Sequence, residues 1–364
     1  MAEKKRSANI ELLRIVAMMM VVIMHFLRES ASLPAGEAML LNADLTTNNL
    51  VATFLEGFCI VAVNAYVLIS GYFGMESNWR PLKAIRFLCQ IWFYALLIPL
   101  VLKCFGVPVL ADKEGIYGLL QYLLPIGTEH YWFATSYFYL LLLMPLLNLG
   151  IKAMDRKQFT ILLVGLLLFF CGIKSICPLP LATDHYGYDL VWFICVYLVG
   201  AWLRSYGDDA LVYMKKKALL IYVGSSLLIS VITVVLYCLT GHFSGLAYYA
   251  TVPFHYNFIL CLLGAVGLFF VFRNWSIKEG KIAEIIRKIG KYCFGVYLFH
   301  EHLDIRYQWY PFLKRYSNPL GKEGLLMLFV ELLFSLVVIF IIGIGIDFTR
   351  DLLFEAVSKR RKRK

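Results

Sequence analysis

The sequence predicts an all-α integral membrane protein, a polytopic bundle of about ten transmembrane helices with the N and C termini in the cytoplasm. Three observations predict it: the composition, the number of long apolar runs, and the placement of the basic residues between them. Of 364 residues, 60% are hydrophobic and 16% are charged, and the mean hydropathy is +0.72. A soluble domain carries about 25% charged residues. Since so few charges cannot cover a water-soluble surface of this size, we expect the apolar residues to face lipid.

The chain contains ten runs long enough to cross a bilayer, because a spanning helix needs about 20 mostly apolar residues. The runs cover residues 8–28, 51–74, 82–103, 132–150, 157–175, 188–206, 217–240, 254–273, 290–310 and 324–348. We therefore expect a membrane domain over 8–348. A short segment, 1–7, and a basic tail, 349–364, are expected in the cytoplasm on either side of it.

The basic residues support this topology through the positive-inside rule. With both termini inside, the inner segments hold 26 of the 35 Lys and Arg, the outer segments hold eight, and Arg14 lies within the first run. The inner groups are Lys4–Arg6, Arg80–Arg86, Lys152–Lys157, Arg204–Lys217, Arg273–Lys291 and Arg350–Lys364. The net charge of +11 is thus spread between apolar runs and not gathered on one face. The bilayer is the expected partner, and nucleic acid is not.

Two further features bear on the class of protein. The nine cysteines show no CxxC pair and no zinc-site spacing, so we expect them to be small core residues. A signal peptide is the alternative interpretation of the first run, because basic residues precede it and small residues follow. Arg14 and His25 interrupt that run, which favours a retained helix.

Arg14 and His25 are the first candidate site residues, because a charge or imidazole inside a span is costly unless it faces a cavity or a partner. They are 11 residues apart, which at 100° per residue places them within about 20° of one helix face and about 16 Å apart along the axis. Arg14 is then expected in the cytoplasmic half and His25 in the outer half. The alternative is local: Glu11 lies three residues before Arg14, and the two can form an ion pair while His25 serves in packing.

The second and third runs add polar residues on the inner side. Glu56 and Asn64 lie within the second run, and Ser70 reaches its predicted cytoplasmic end. Lys83 and Arg86 follow on one face of the next helix. Together with Arg14 they predict a basic inner vestibule, with ordinary topology anchors as the alternative.

On the outer side, His130 and Trp132 open the fourth run and His300 lies in the ninth. Aromatic residues are typical of a membrane interface. His300 and His302 are two residues apart and point in different directions on a helix. No metal ion is therefore expected.

Phosphate-loop, dinucleotide-binding and zinc-protease motifs are absent from the sequence, so ATP-driven transport by this chain alone is not expected. A transporter or flippase for a lipid-linked sugar stays open as an alternative. Arg14 would then hold a phosphate and His25 would act as a proton-coupled gate. The broken helices and matching halves typical of many transporters are not evident.

The combination of motifs resembles the acyltransferase-3 family of integral membrane acyltransferases. The resemblance rests on Arg14 and His25 in the first run, on Ser70-Gly71-Tyr72, on the Lys83 to Arg86 step, on His130 with Trp132-Phe133, and on Gly295 through His300. It spans about residues 8–348. The family usually has an arginine where this chain has Lys83. That substitution weakens bidentate phosphate binding, because lysine is a point charge.

The resemblance implies a bacterial cytoplasmic-membrane enzyme that moves an acyl group, most often acetyl, from cytoplasmic acyl-CoA to a sugar hydroxyl. The acceptor would be a cell-surface glycan or its lipid-linked precursor. Acetyl-CoA, or another acyl-CoA, would be held by Arg14, Lys83, Arg86 and Ser70. His25, assisted by Arg14, would carry the chemistry as general base or as covalent acyl carrier. Acceptor-side residues would be Glu56, Asn64, His130, Trp132 and His300.

Overall fold

The computed structural model describes residues 6–34, 45–76, 81–177, 184–210, 212, 216–240 and 242–362. These residues form helices and turns, with no strand among them. Six basic residues of the predicted inner groups lie outside the described residues: Lys4, Lys5, Arg80, Lys215, Arg363 and Lys364. Two short α-helices, Ile173–Ile176 and Ala247–Thr251, are left unlabelled. The others are α1 Ala8–Glu29, α2 Thr47–Cys59, α3 Ala62–Gly74, α4 Pro81–Cys104, α5 Leu110–Glu114, α6 Ile116–Leu123, α7 Trp132–Ala153, α8 Arg156–Leu167, α9 Leu190–Ala210, α10 Ala218–Thr240, α11 Ile259–Asn274, α12 Lys281–His300, α13 Trp309–Ser317 and α14 Leu325–Lys362.

Among the described residues, nine helical segments are long and apolar enough to span a membrane, which confirms an all-α polytopic membrane protein. α2 and α3 together make one of them, Thr47–Gly74, and α8 continues through a π-helical turn to Ile176 to make another. The predicted span 290–310 is wrong in its bounds. Its helix is α12, which ends at His300, and residues 301–308 form turns. The first half of α12 is rich in charge, so the helix does not qualify as a span by composition.

The large apolar side chains that remain exposed are distributed along these spans. Leu100, Leu146, Ile161 and Leu228 are examples. In water such a surface would drive aggregation, whereas in a bilayer it needs no cover. The prediction of small core cysteines holds for five of the nine; Cys89 is half-buried, and Cys104, Cys177 and Cys238 are exposed.

The chain divides into two compact units. The first comprises Met1–Met18, Arg80–Phe138 and Glu279–Lys364. In it, α12 packs closely against α14: a Cβ at Gly343 would lie 2.5 Å from Val296 Cα, and one at Gly295 would lie 2.4 Å from Asp347 Cβ. Small residues thus allow the two backbones to approach, as is common between membrane helices.

The second unit comprises Met19–Trp79 and Tyr139–Lys278. Its tightest contact joins α3 to α9, where a Cβ at Gly71 would lie 2.1 Å from the Tyr197 carbonyl oxygen and one at Gly200 would lie 2.5 Å from that of Leu68. Asn148 of α7 completes the contact, since its amide donates to the Gly74 carbonyl (3.1 Å) and accepts from the Tyr197 hydroxyl (2.7 Å).

Gly71→Ala is expected to destabilise the protein severely. The added methyl group meets backbone atoms of α9 that cannot rotate away, and overpacking of this kind typically costs about 1–3 kcal/mol or more. The thermal midpoint of the detergent-solubilised protein, followed by size-exclusion chromatography, measures the loss.

Gly224→Ala on α10 is the matched control, because no atom lies within 4 Å of the Cβ that it adds. Its effect should be neutral or slightly stabilising, since glycine in a helix interior is less favourable than alanine by about 0.5–1 kcal/mol. Equal midpoints for the two variants would contradict the close approach of α3 and α9.

Candidate active site

The candidate site begins on α1, an unbroken helix of 22 residues that carries both Arg14 and His25. Both side chains are half-buried. Glu11, only 1% exposed, forms the ion pair with Arg14 that the sequence allows, and α12 packs against it at Gly290. The local ion pair is therefore confirmed. The Arg14 charge is partly balanced before any ligand binds.

The charged groups at the predicted inner end of the first unit divide into paired and unpaired sets. Ion pairs join Arg350 to Asp347 (2.7 Å), Lys291 to Asp351, and Arg287 to Glu279 (2.7 Å). Lys83 and Arg86, on the first two turns of α4, are exposed. Neither forms an ion pair with a carboxylate of the described chain. Their charge is therefore available to an anion.

Asp347 was missed by the sequence prediction. It is fully buried within α14 and accepts hydrogen bonds from Gln90 (2.8 Å) and Tyr94 (3.4 Å) of α4 as well as from Arg350. A buried carboxylate with these partners links α14 to α4 near the predicted cytoplasmic end. Its position inside an otherwise apolar run is the signal that could have found it.

A second missed feature is a chain of aromatic rings in the first unit, which we call the aromatic ladder. It comprises Phe87, Phe294, Tyr297, Phe133 and Tyr137. The Phe87 and Phe294 rings stack with centroids 5.0 Å apart, Tyr297 lies 5.8 Å from Phe294, and Phe133 lies 5.7 Å from Tyr297. The Tyr297 hydroxyl is buried and donates no hydrogen bond to a described residue, although the backbone amides of Phe133 and Ala134 at the start of α7 approach its oxygen. An orphan hydroxyl of this kind is rare in a folded protein.

Of the predicted acceptor-side residues, His130 is held by the protein at both ring nitrogens. Nδ1 lies 3.1 Å from the Gln121 carbonyl oxygen, and Nε2 accepts from the Leu303 amide at 3.3 Å. The Arg306 guanidinium donates to the His130 carbonyl (2.8 Å), and the His302 ring lies 4.5 Å away, centroid to centroid. This arrangement argues against substrate binding by His130. It indicates a structural role.

His130 belongs to an outer layer of the first unit, built from α5, α6 and the turns after α12. Asp304 ties it together, accepting from the Leu110 amide (2.7 Å) and the Tyr122 hydroxyl (2.8 Å). Desolvation by burial lowers the pKa of His130 to about 3 and holds that of His302 well below its usual value. Both rings are therefore neutral at physiological pH.

The other predicted outer residues of this unit are placed at helix ends. His300 is the last residue of α12, fully buried, with Nδ1 2.6 Å from the Val296 carbonyl oxygen. Its ring meets the edge of Tyr297 at 6.2 Å. Trp132 is the first residue of α7 and is half-buried. Tyr297 of the aromatic ladder thus lies beside His300.

In the second unit, Asn64 acts as a clamp. Its amide donates to the Tyr256 carbonyl (2.7 Å), and its oxygen accepts from Trp192 Nε1 (2.9 Å). With both ends of the amide engaged, Asn64 is better described as structural than as substrate-binding. Glu56, on α2, is buried with one oxygen unpartnered among the described residues, and Ser70, on α3, donates to the Tyr66 carbonyl (3.1 Å).

Comparison with known proteins identifies the chain. The model of the acyltransferase-3 family, described as an acyltransferase domain, matches residues 7–347. No curated protein and no solved structure matches the chain.

Lowering the pH from 7 to 5 is expected to destabilise the outer layer of the first unit. The unfolded state takes up a proton on His130 near pH 6.5, while the folded imidazole, with its pKa of about 3, does not. Stability therefore falls by at most about 1.4 kcal/mol per pH unit for each such histidine. Thermal midpoints over this pH range measure the slope.

The comparison variant is His130→Asn. It should be less stable than the parent at pH 7, but its stability should change less with pH. The pH dependence that remains should come from His302. His242→Asn removes an exposed imidazole and should keep the parent slope. A His130→Asn protein with the full parent slope would contradict the assignment.

Proposed function

We propose, from the premise that this chain belongs to the acyltransferase-3 family, that the membrane enzyme moves an acetyl group from cytoplasmic acetyl-CoA to a hydroxyl of a cell-surface glycan or its lipid-linked precursor. A bacterial cytoplasmic membrane is the proposed location. The observation that carries the proposal is the placement of Arg14 and His25 on one face of a single unbroken helix, α1, about 16 Å apart along its axis. That separation is comparable to the extended pantetheine arm between the diphosphate and the thioester of acyl-CoA.

The donor phosphates require cations that are not already neutralised. Because Glu11 balances part of the Arg14 charge, the exposed and unpaired Arg86 and Lys83 are the stronger electrostatic contributors. Charge-assisted hydrogen bonds to phosphate are among the strongest available to a protein. Arg86 can bind two phosphate oxygens at once, whereas Lys83 supplies a point charge. Ser70 would line the approach.

The pantetheine arm needs an apolar surface with a few polar contacts. The aromatic ladder supplies the surface, and the orphan Tyr297 hydroxyl supplies a donor for an amide or thioester carbonyl oxygen. The buried network of Asp347, Arg350 and Gln90 would fix α14 against α4 beside it.

His25 is assigned to the acyl transfer by one of two routes. As general base, its unprotonated ring nitrogen takes the proton of the sugar hydroxyl while the oxygen attacks the thioester carbonyl. The C–S bond breaks, and the CoA sulfur leaves as thiolate and receives the proton. As covalent carrier, the same nitrogen attacks the carbonyl and releases CoA, and the sugar hydroxyl then takes the acyl group from the imidazole. Arg14 would position the donor for either route.

His25→Gln is expected to abolish acyl transfer while the protein keeps its abundance, thermal midpoint and affinity for acetyl-CoA. Glutamine can retain a packing hydrogen bond but cannot take up a proton at neutral pH. Losing a general base typically costs about 10²–10⁴-fold in rate. Release of CoA and acetylation of the glycan, measured in reconstituted vesicles, provide the readout.

His242→Gln serves as the imidazole control and should keep full activity, because His242 is exposed outside the spans. Near-normal specific activity in His25→Gln would eliminate both catalytic routes. If the parent protein moved a lipid-linked sugar across the bilayer without releasing CoA, the transporter alternative would replace the proposal.

Arg86→Ala is expected to raise the apparent KM for acetyl-CoA about tenfold with little change in kcat, since a hydrogen bond to a charged group contributes about 1.5–3 kcal/mol and exposure favours the low end. Steady-state kinetics at constant ionic strength measure it. Arg360→Ala in the tail of α14 is the charge-matched control and should leave KM unchanged. The same small shift in both variants would show that Arg86 is only a topology anchor.

A further inference from the structure

The second unit contains a cavity of about 290 Å³ that the acyl-transfer mechanism does not use. It lies between the π-helical turn that follows α8, Leu168–Gly172, the start of α9, and Asn257. This is the predicted extracytoplasmic side. Phe169 and Phe170 belong to that turn, and Trp192 of α9 also lines the cavity. The walls are therefore aromatic and mainly apolar. At the lower end of the size range of ligand sites, the cavity suits a single ring.

Lys174 lines the cavity, but its charge is neutralised by other groups of the protein. It is 3% exposed, forms an ion pair with Asp184, and donates a hydrogen bond to the Tyr248 hydroxyl (2.6 Å). Its ammonium group also lies 5.0 Å from the Tyr186 ring centroid and 5.1 Å from that of Tyr248. A buried lysine with a full set of partners has little charge to offer an anionic ligand.

Asn257 supplies the polar group that points to a ligand. It lines the cavity at 6% exposure, and its amide donates to Asp184 Oδ1 (2.9 Å). That bond leaves its oxygen without a hydrogen-bond partner among the described residues. Gly187 packs beside it with φ +82°, and a Cβ there would lie 2.8 Å from the backbone nitrogen of Asn257. The local backbone is thus built to hold Asn257 in place.

The lining groups specify the chemistry of the occupant. Two acceptors line the cavity, the Asn257 oxygen and the Asp189 carboxylate, so the ligand must present hydrogen-bond donors. One Asp189 oxygen already accepts a hydrogen bond from the Trp192 backbone amide (2.8 Å). The aromatic walls favour a ligand with C–H faces, because the ring face is the negative side of its quadrupole. Lys174 and Asp184 offset each other, so Asp189 and the exposed imidazole of His185 are the remaining titratable groups of the lining, and the Asp189 carboxylate disfavours an anionic ligand.

We infer that this cavity binds a neutral sugar ring, with its hydroxyls on Asn257 and Asp189 and a C–H face on Phe169 and Phe170. The role of that ring as part of the acyl acceptor rests on the proposed function; the binding itself does not. The sugar can come from a free glycan or from a membrane-anchored glycolipid. The ring chemistry is the same in both.

The test is saturation-transfer NMR on the full chain, purified in a detergent without a sugar head group. Methyl β-glucoside represents a free sugar and octyl β-glucoside, below its micelle concentration, a lipid-linked one. Binding of both, with transfer to ring C–H protons, is the expected result. Tighter binding of the octyl form would identify the membrane-anchored source.

Phe169→Ala should weaken glucoside binding about three- to tenfold, the range expected for loss of one ring contact. Phe243→Ala is the matched control, since Phe243 is 63% exposed against 67% for Phe169 and lies outside the cavity lining; it should bind as the parent does. Asn257→Ala should lose binding while keeping its helical circular dichroism. If that variant fails to fold, Phe169→Ala alone decides.

Three results would overturn the inference: no transfer to either glucoside, equal transfer in the parent and Phe169→Ala proteins, or displacement of the glucosides by vesicles of phosphatidylglycerol, which would identify an anionic lipid site. His25→Gln separates this inference from the proposed function. It should bind glucoside as the parent does. If the parent protein bound glucoside but had no acyltransferase activity, the proposed function would be wrong and the sugar site would still be supported.

Discussion

The cost of placing a charge in hydrocarbon is the constraint on which the rest of this structure depends. An unpaired charge near the bilayer centre costs at least about 2.5–3.5 kcal/mol. Three buried charges discussed above accordingly have a partner: Glu11 has Arg14, Asp347 has Arg350, and Lys174 has Asp184. Buried Glu56 differs, because one of its oxygens accepts no hydrogen bond in the described part of the chain. Against that background of neutralised pairs, the unpaired cations at the start of α4 and the unpartnered polar atoms of the described residues are the groups on which the proposals above rest.

The fold class followed from the sequence because lipid imposes simple requirements on a chain. Length and apolar content determine a span, so seven of the ten predicted runs correspond to candidate spans with similar bounds. The runs 254–273 and 324–348 correspond to the longer Ala247–Asn274 and Leu325–Ala356. The run 290–310 failed because its apolar stretch ends at His300, where α12 ends. The turns that follow carry Glu301, Asp304 and Arg306, so charge, and not length alone, marks the end of the helix.

The candidate site was less accessible to sequence reasoning because its side chains are explained by contacts between distant segments. Asn64 and His130 were singled out correctly as unusual, yet their hydrogen bonds go to Trp192 and Tyr256 and to Leu303. The aromatic ladder was invisible because aromatic residues are common at membrane interfaces. Glu11 and Arg14 were the exception, because side chains three residues apart on a helix lie next to each other.

That spacing has a consequence for biogenesis. Glu11–Arg14 and Asp347–Arg350 are both separated by three residues on one helix, so each pair can close as soon as its own helix forms. Gly290 of α12 reaches Glu11 only after later spans have entered the bilayer. α1 can therefore leave the translocon with its Glu11–Arg14 pair already closed, without waiting for the helix that later packs on it. The order in which spans are synthesised need not match the order in which they pack.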